Sequence, residues 1–82
     1  MDRISFNPAA FKHGVTKEAI LHAFTRVVYD HPMVGDAEKN LLIGFDRNAD
    51  LLEVLYNVKG SERINVFHAM PCRKAWQHLA DR

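Results

Sequence analysis

Two short segments of this chain hold side chains suited to phosphate chemistry. Between Arg63 and Lys74 an alternating stretch delivers His68 near its end, Pro71 turns the chain, and Arg73 and Lys74 follow directly. Cleaving RNA at a phosphodiester needs a base for the 2′-hydroxyl, cations for the added negative charge and an acid for the departing oxygen. Histidine serves as base or acid near neutral pH, and arginine grips phosphate with two parallel N–H groups. This spacing therefore assigns proton transfer to His68 and phosphate contact to Arg63, Arg73 and Lys74, with no metal or other cofactor. Lys12-His13-Gly14 is a second cluster of the same kind. At a helix C-terminus a lysine and a histidine are also favoured by the helix dipole, so Lys12 and His13 join the first group only if the fold brings them beside His68.

Other chemistries find less support. The chain has five histidines, but no pair stands four apart on one helix, and its one cysteine excludes Cys-x-x-Cys. Arg73 and Lys74 beside Cys72 would favour a thiolate. A small half-buried cysteine after a strand is nevertheless the commoner explanation. No glycine-rich phosphate loop or Gly-x-Ser-x-Gly turn occurs. Glu53 is the one acid placed inside a predicted strand, and the simplest expectation for it is an ion pair with a cation on the next strand, such as Arg63.

These residues must be positioned by an α+β framework. Residues 3–6 read as a short strand. Asn7-Pro8 starts a brief helix over 8–13, which Gly14 stops. Thr16 caps a second helix reaching Tyr29, with Ile20, Phe24, Val27 and Val28 at helical spacing. Residues 30–38, with Pro32, Gly35 and three acids, read as a loop. The period then changes to two. Strands follow over 39–45, 51–58 and 63–69, separated by polar turns at 46–50 and 59–62. Strand 51–58 is apolar on both faces, as a central covered strand should be. Alternation puts Ile64, Val66 and His68 on one face of the last strand. A short helix over 73–80, anchored by Trp76 and Leu79, completes a single domain with helices packed on one face of an antiparallel meander.

Composition limits what this domain can be. The 82 residues are 48% hydrophobic and 26% charged, ordinary for a globular chain and unlike a disordered one. No unbroken apolar run exceeds three residues, against the ~20 of a membrane-spanning helix. One cysteine and a polar N-terminus without an apolar signal segment lead us to expect a cytoplasmic protein. The net charge of +1 hides an asymmetry: residues 1–29 carry +2, 30–62 carry −4 and 63–82 carry +3. If the two ends meet, they form a basic surface for an anionic partner.

Several segments, in order, resemble the BrnT family of bacterial type II toxins, which have a RelE-like ribonuclease fold. Phe6-Asn7-Pro8 is similar to the family's aromatic-Asx opening, and Lys12-His13-Gly14-Val15-Thr16 to its Lys-His-Gly-Val/Ile-Ser/Thr signature, with Glu18 following. Leu42-Ile43-Gly44, the stretch from Leu51 to Tyr56, and Arg63-Ile64 through Ala69 resemble its meander strands. The resemblance implies a small endoribonuclease toxin acting on RNA and restrained by a cognate antitoxin protein, as a homo-oligomer or as a hetero-oligomer with that antitoxin. The family usually has arginine after that final alanine, where this chain has Met70. That departure keeps open a catalytically inactive RelE-like module that binds an antitoxin-like protein or assists DNA binding.

Overall fold

The computed structural model describes residues 3–60 and 63–80. It is a small α+β domain built on one five-stranded mixed sheet. In chain order come β1 (Ile4–Phe6), a 3-10 turn (Pro8–Phe11), α1 (Lys17–Thr25), β2 (Val27–Met33), β3 (Asp36–Phe45), β4 (Leu51–Lys59), β5 (Arg63–Pro71), α2 (Lys74–Gln77) and a second 3-10 turn (His78–Ala80). The spatial order is β1-β5-β4-β3-β2. β2 to β5 form an antiparallel meander, and β1 adds to β5 in parallel.

The expected caps form. The Asn7 side-chain oxygen accepts from the Ala9 N–H at 2.9 Å, and the Thr16 hydroxyl accepts from the Ala19 N–H at 3.1 Å. The first helix is only a 3-10 turn ending at Phe11, shorter than the 8–13 expected. The larger correction concerns residues 26–38. α1 stops at Thr25, and Val27, Val28 and Tyr29 begin a strand, as their branched and aromatic side chains prefer. The segment expected to be a loop therefore holds most of β2 and the start of β3, joined through Val34 and Gly35, whose φ of +84° suits glycine. Pro32 is tolerated because β2 lies at the sheet edge.

β4 is the central strand, as its two apolar faces required. Leu52, Val54 and Tyr56 join Leu42, Val66 and Ala69 beneath Ile20 and Ala23 of α1. Leu41, Ile43 and Cys72 form a second cluster on the opposite face, with Leu51, Leu55, Trp76 and Leu79 packed on it. The helices are thus divided between both faces of the sheet rather than stacked on one. The C-terminal segment covers the face α1 leaves bare, because alternate residues of β3 and β4 are apolar there too. Gly44 allows α1 to approach closely: a methyl group at that position would run into the Ala23 carbonyl. No helix among the described residues is long and apolar enough to cross a membrane.

Candidate functional site: a carboxylate-linked histidine and arginine

Where β4 and β5 pair, the register breaks between Leu55 and Tyr56. Leu55 lies opposite His68, but Tyr56 lies opposite Val66, so Phe67 is an extra residue in β5. Simple alternation puts His68 on the face of Val66. The bulge instead turns it to the face of Glu53, correcting that expectation.

Glu53 is the centre of the arrangement. Its side chain is 1% exposed, yet each carboxylate oxygen accepts two hydrogen bonds. Oε1 accepts from the Arg73 backbone N–H at 3.0 Å and from Arg73 Nε at 3.1 Å. Oε2 accepts from Arg73 Nη2 at 2.7 Å and from His68 Nε2 at 3.1 Å. A carboxylate on a strand buried from both sides must be paired, and here an arginine fork and a histidine pair it. The partner is Arg73, not the Arg63 expected from the strand pattern. Burial pushes the Glu53 carboxyl up, but the Arg73 side-chain and backbone bonds, the His68 bond and the guanidinium charge outweigh it, leaving Glu53 below its ordinary value.

The Arg73 side chain stays 53% exposed and commits only Nε and Nη2 to Glu53. Its remaining N–H groups are available to an anion. His68 is 21% exposed. Its Nε2 must carry a proton to bond the acceptor-only carboxylate, which leaves Nδ1 as an acceptor when the ring is neutral.

His13 completes the cluster. β1 pairs with β5 only as far as Val66, so among the described residues no strand covers the outer edge of β5 beyond that point. The His13 ring meets that of His68 edge-on there, with centroids 5.5 Å apart and planes at 72°. Lys12, exposed, immediately precedes it, and Lys74, also exposed, follows Arg73 at the start of α2. Arg63 is not part of this group. It lies opposite Lys59 at the other end of the β4–β5 ladder, five residues along the strand from His68, and at about 3.3 Å per residue that is too far to share a phosphate.

Cys72 is a buried thiol that donates to the Arg73 carbonyl oxygen at 3.7 Å. Burial, then the charge of Glu53, pushes its pKa up, against a smaller opposing influence of Arg73. The activation its basic neighbours could give is overridden, and the preferred reading of a structural cysteine after a strand fits its burial. Among the described residues no three histidine, cysteine, aspartate or glutamate side chains are grouped to hold a metal. A cleft of about 690 Å³ opens on the other side of His13, between the start of α1, the β3–β4 turn and the Pro71-Cys72 segment. The sequence reading missed this cleft and the part played by Glu53. A single acid amid the apolar residues of a covered strand was the signal for Glu53.

No protein-family model matches the chain, and comparison with curated proteins and with solved structures finds no match to either.

Proposed function

We propose that this chain is a metal-independent endoribonuclease of RelE-like type, acting as the toxin of a type II toxin–antitoxin pair. One observation carries the reading: a buried carboxylate holds an arginine fork and a histidine together, with a second histidine ring beside the first. In the reaction, Nδ1 of His68 takes the proton of a ribose 2′-hydroxyl while Glu53 fixes the ring through Nε2–H. The 2′-oxygen forms a bond to phosphorus, and the bond to the 5′-oxygen breaks. His13, protonated, delivers a proton to that leaving oxygen, giving a 2′,3′-cyclic phosphate and a free 5′-hydroxyl. The outer N–H groups of Arg73 face the phosphate oxygens as charge accumulates, with Lys12 and Lys74 holding flanking phosphates.

Met70 lies opposite Glu53 across the β4–β5 ladder. It occupies the position where the resembled family carries arginine, and Arg73, three residues further on, brings a guanidinium to the Glu53 carboxylate. The toxin role and the antitoxin partner rest on the sequence resemblance. The same Met70 favours a second reading, a non-catalytic module of this fold whose cations only position a protein partner.

Incubation of the purified chain with unstructured RNA in EDTA separates the two. Cleavage leaving cyclic-phosphate ends, reduced ~10²–10⁴-fold by His68→Ala and by His13→Ala, is the expected result. Unchanged cleavage in both variants removes the histidines from the mechanism. Intact RNA together with harmless expression in bacteria leaves the binding module.

A further inference from the structure

The cleft beside His13 has a lining unlike that of the phosphate site. Its lining includes His13, Val15 and Thr16 from the start of α1 and the turn before it, and Phe45, Asp46 and Asp50 from the end of β3 and the β3–β4 turn, and among the described residues no lysine or arginine lines it. At about 690 Å³ it falls within the size range of small-ligand sites. Two carboxylates with no cation beside them among the described residues disfavour a phosphate, and the apolar part of the lining, with Val15, Phe45 and Leu52, suits a flat base better than a hydroxyl-rich ribose. His13 borders both the cleft and His68, so a base seated in the cleft belongs to a nucleotide next to the reacting phosphate.

The two carboxylates differ. Asp46 Oδ1 accepts from the backbone N–H groups of Asn48 and Asp50, each at 2.9 Å, and so holds the turn together. The Asp50 carboxylate has no hydrogen-bond or ion-pair partner among the described residues, while its backbone is fixed by N–H and C=O bonds to Asp46. It is therefore an unpartnered pair of acceptors, carried on a fixed stretch of backbone, on a residue that lines a part-apolar cleft. A carboxylate accepts only, and guanine alone among the four bases presents two adjacent donors, N1–H and N2–H, on its Watson–Crick edge. Adenine, cytosine and uracil each set an acceptor beside their donor and would leave one carboxylate oxygen facing a lone pair.

We propose that this cleft is a guanine pocket, with the Asp50 carboxylate reading N1–H and N2–H of a base next to the cleaved phosphate. The proposal rests on the RNA-cleaving reading for its biological meaning, but binding tests it separately from cleavage. The probes are 5′-fluorescein 2′-O-methyl pentanucleotides, UUGUU, UUAUU, UUCUU and UUUUU, whose blocked 2′-oxygens prevent reaction. Fluorescence anisotropy with the full chain should show UUGUU bound about ten- to a hundredfold more tightly than the others, and Asp50→Asn should abolish the difference. Asp50 is exposed and in a turn, so circular dichroism should show Asp50→Asn folded as the parent is. Equal affinity for all four probes, binding to none, or a guanine preference that survives Asp50→Asn overturns the pocket. Cleavage of unmodified RNA, measured alongside, judges the nuclease reading by itself: guanine-selective binding without cleavage upholds the pocket and discards the nuclease.

Discussion

Glu53 decides how the candidate site responds to acid. Its carboxyl sits below its ordinary value in the folded chain, where four hydrogen bonds favour the charged form. The unfolded chain therefore binds the proton more readily. The stability this group confers is complete above the ordinary carboxylate pKa and is lost as pH falls through the lower folded-state value. Glu53→Gln keeps the shape and removes the charge, and at pH 7 it should destabilise by about 1–3 kcal/mol, the usual cost of spoiling buried bonds to a charged group. Urea midpoints of parent and variant, taken from pH 7 down to pH 2.5, should converge as the parent loses its advantage. A gap between them that does not change with pH would show that the carboxylate is not charged in the folded chain. The same substitution should also slow RNA cleavage, because a neutral amide no longer fixes His68 and Arg73 as an ion does.

At the scale of elements, the sheet positions the site through two local departures from regularity, and these explain what the sequence disclosed. Whereas β2 was not legible, most of β3, together with β4 and β5, the caps at Asn7 and Thr16 and the central place of β4 follow from apolar periodicity and turn chemistry and were legible. The extra residue at Phe67 was not, because a bulge leaves composition and average periodicity unchanged while it reverses the face of His68. The helix-to-strand change after Thr25 was hidden for a related reason: Val27 and Val28 continue the helical spacing of Ile20 and Phe24, and only pairing with β3 settles their state. Among the site residues His68, Arg73 and His13 could be picked out by type, while the role of Glu53 depends on a contact across twenty positions. Gly44 is the second departure. α1 lies on β3 so closely that its Ala23 carbonyl occupies the space a side chain would need. Gly44→Ala must push helix and sheet apart, at a cost of about 1–3 kcal/mol. Thermal unfolding measures it, and a melting temperature equal to the parent's would mean that the helix is free to move outward.

The whole molecule is a sheet with a different cover on each face, and the site lies where the second cover begins. α1 lies over the cluster of Leu42, Val54 and Val66, whereas Trp76 and Leu79 close the cluster of Leu41, Ile43 and Cys72. Arg73 immediately precedes that second cover, and its backbone N–H donates to Glu53. The hold of the guanidinium on the carboxylate thus depends on Trp76, three residues away, staying seated on the sheet. A domain of this size buries a modest share of its surface, so losing one large anchor matters. Trp76 is only partly buried, which places Trp76→Ala at roughly 2–3 kcal/mol, below the range for fully enclosed aromatics. The loss should be local before it is global, because α1 and the first cluster do not touch Trp76. Hydrogen exchange should then show the Arg73 amide losing most of its protection in the variant while the amides of Val54 and Val66 keep theirs. If all three weaken by the same factor, the two faces unfold as one unit and the C-terminal segment is not a separable support for the site.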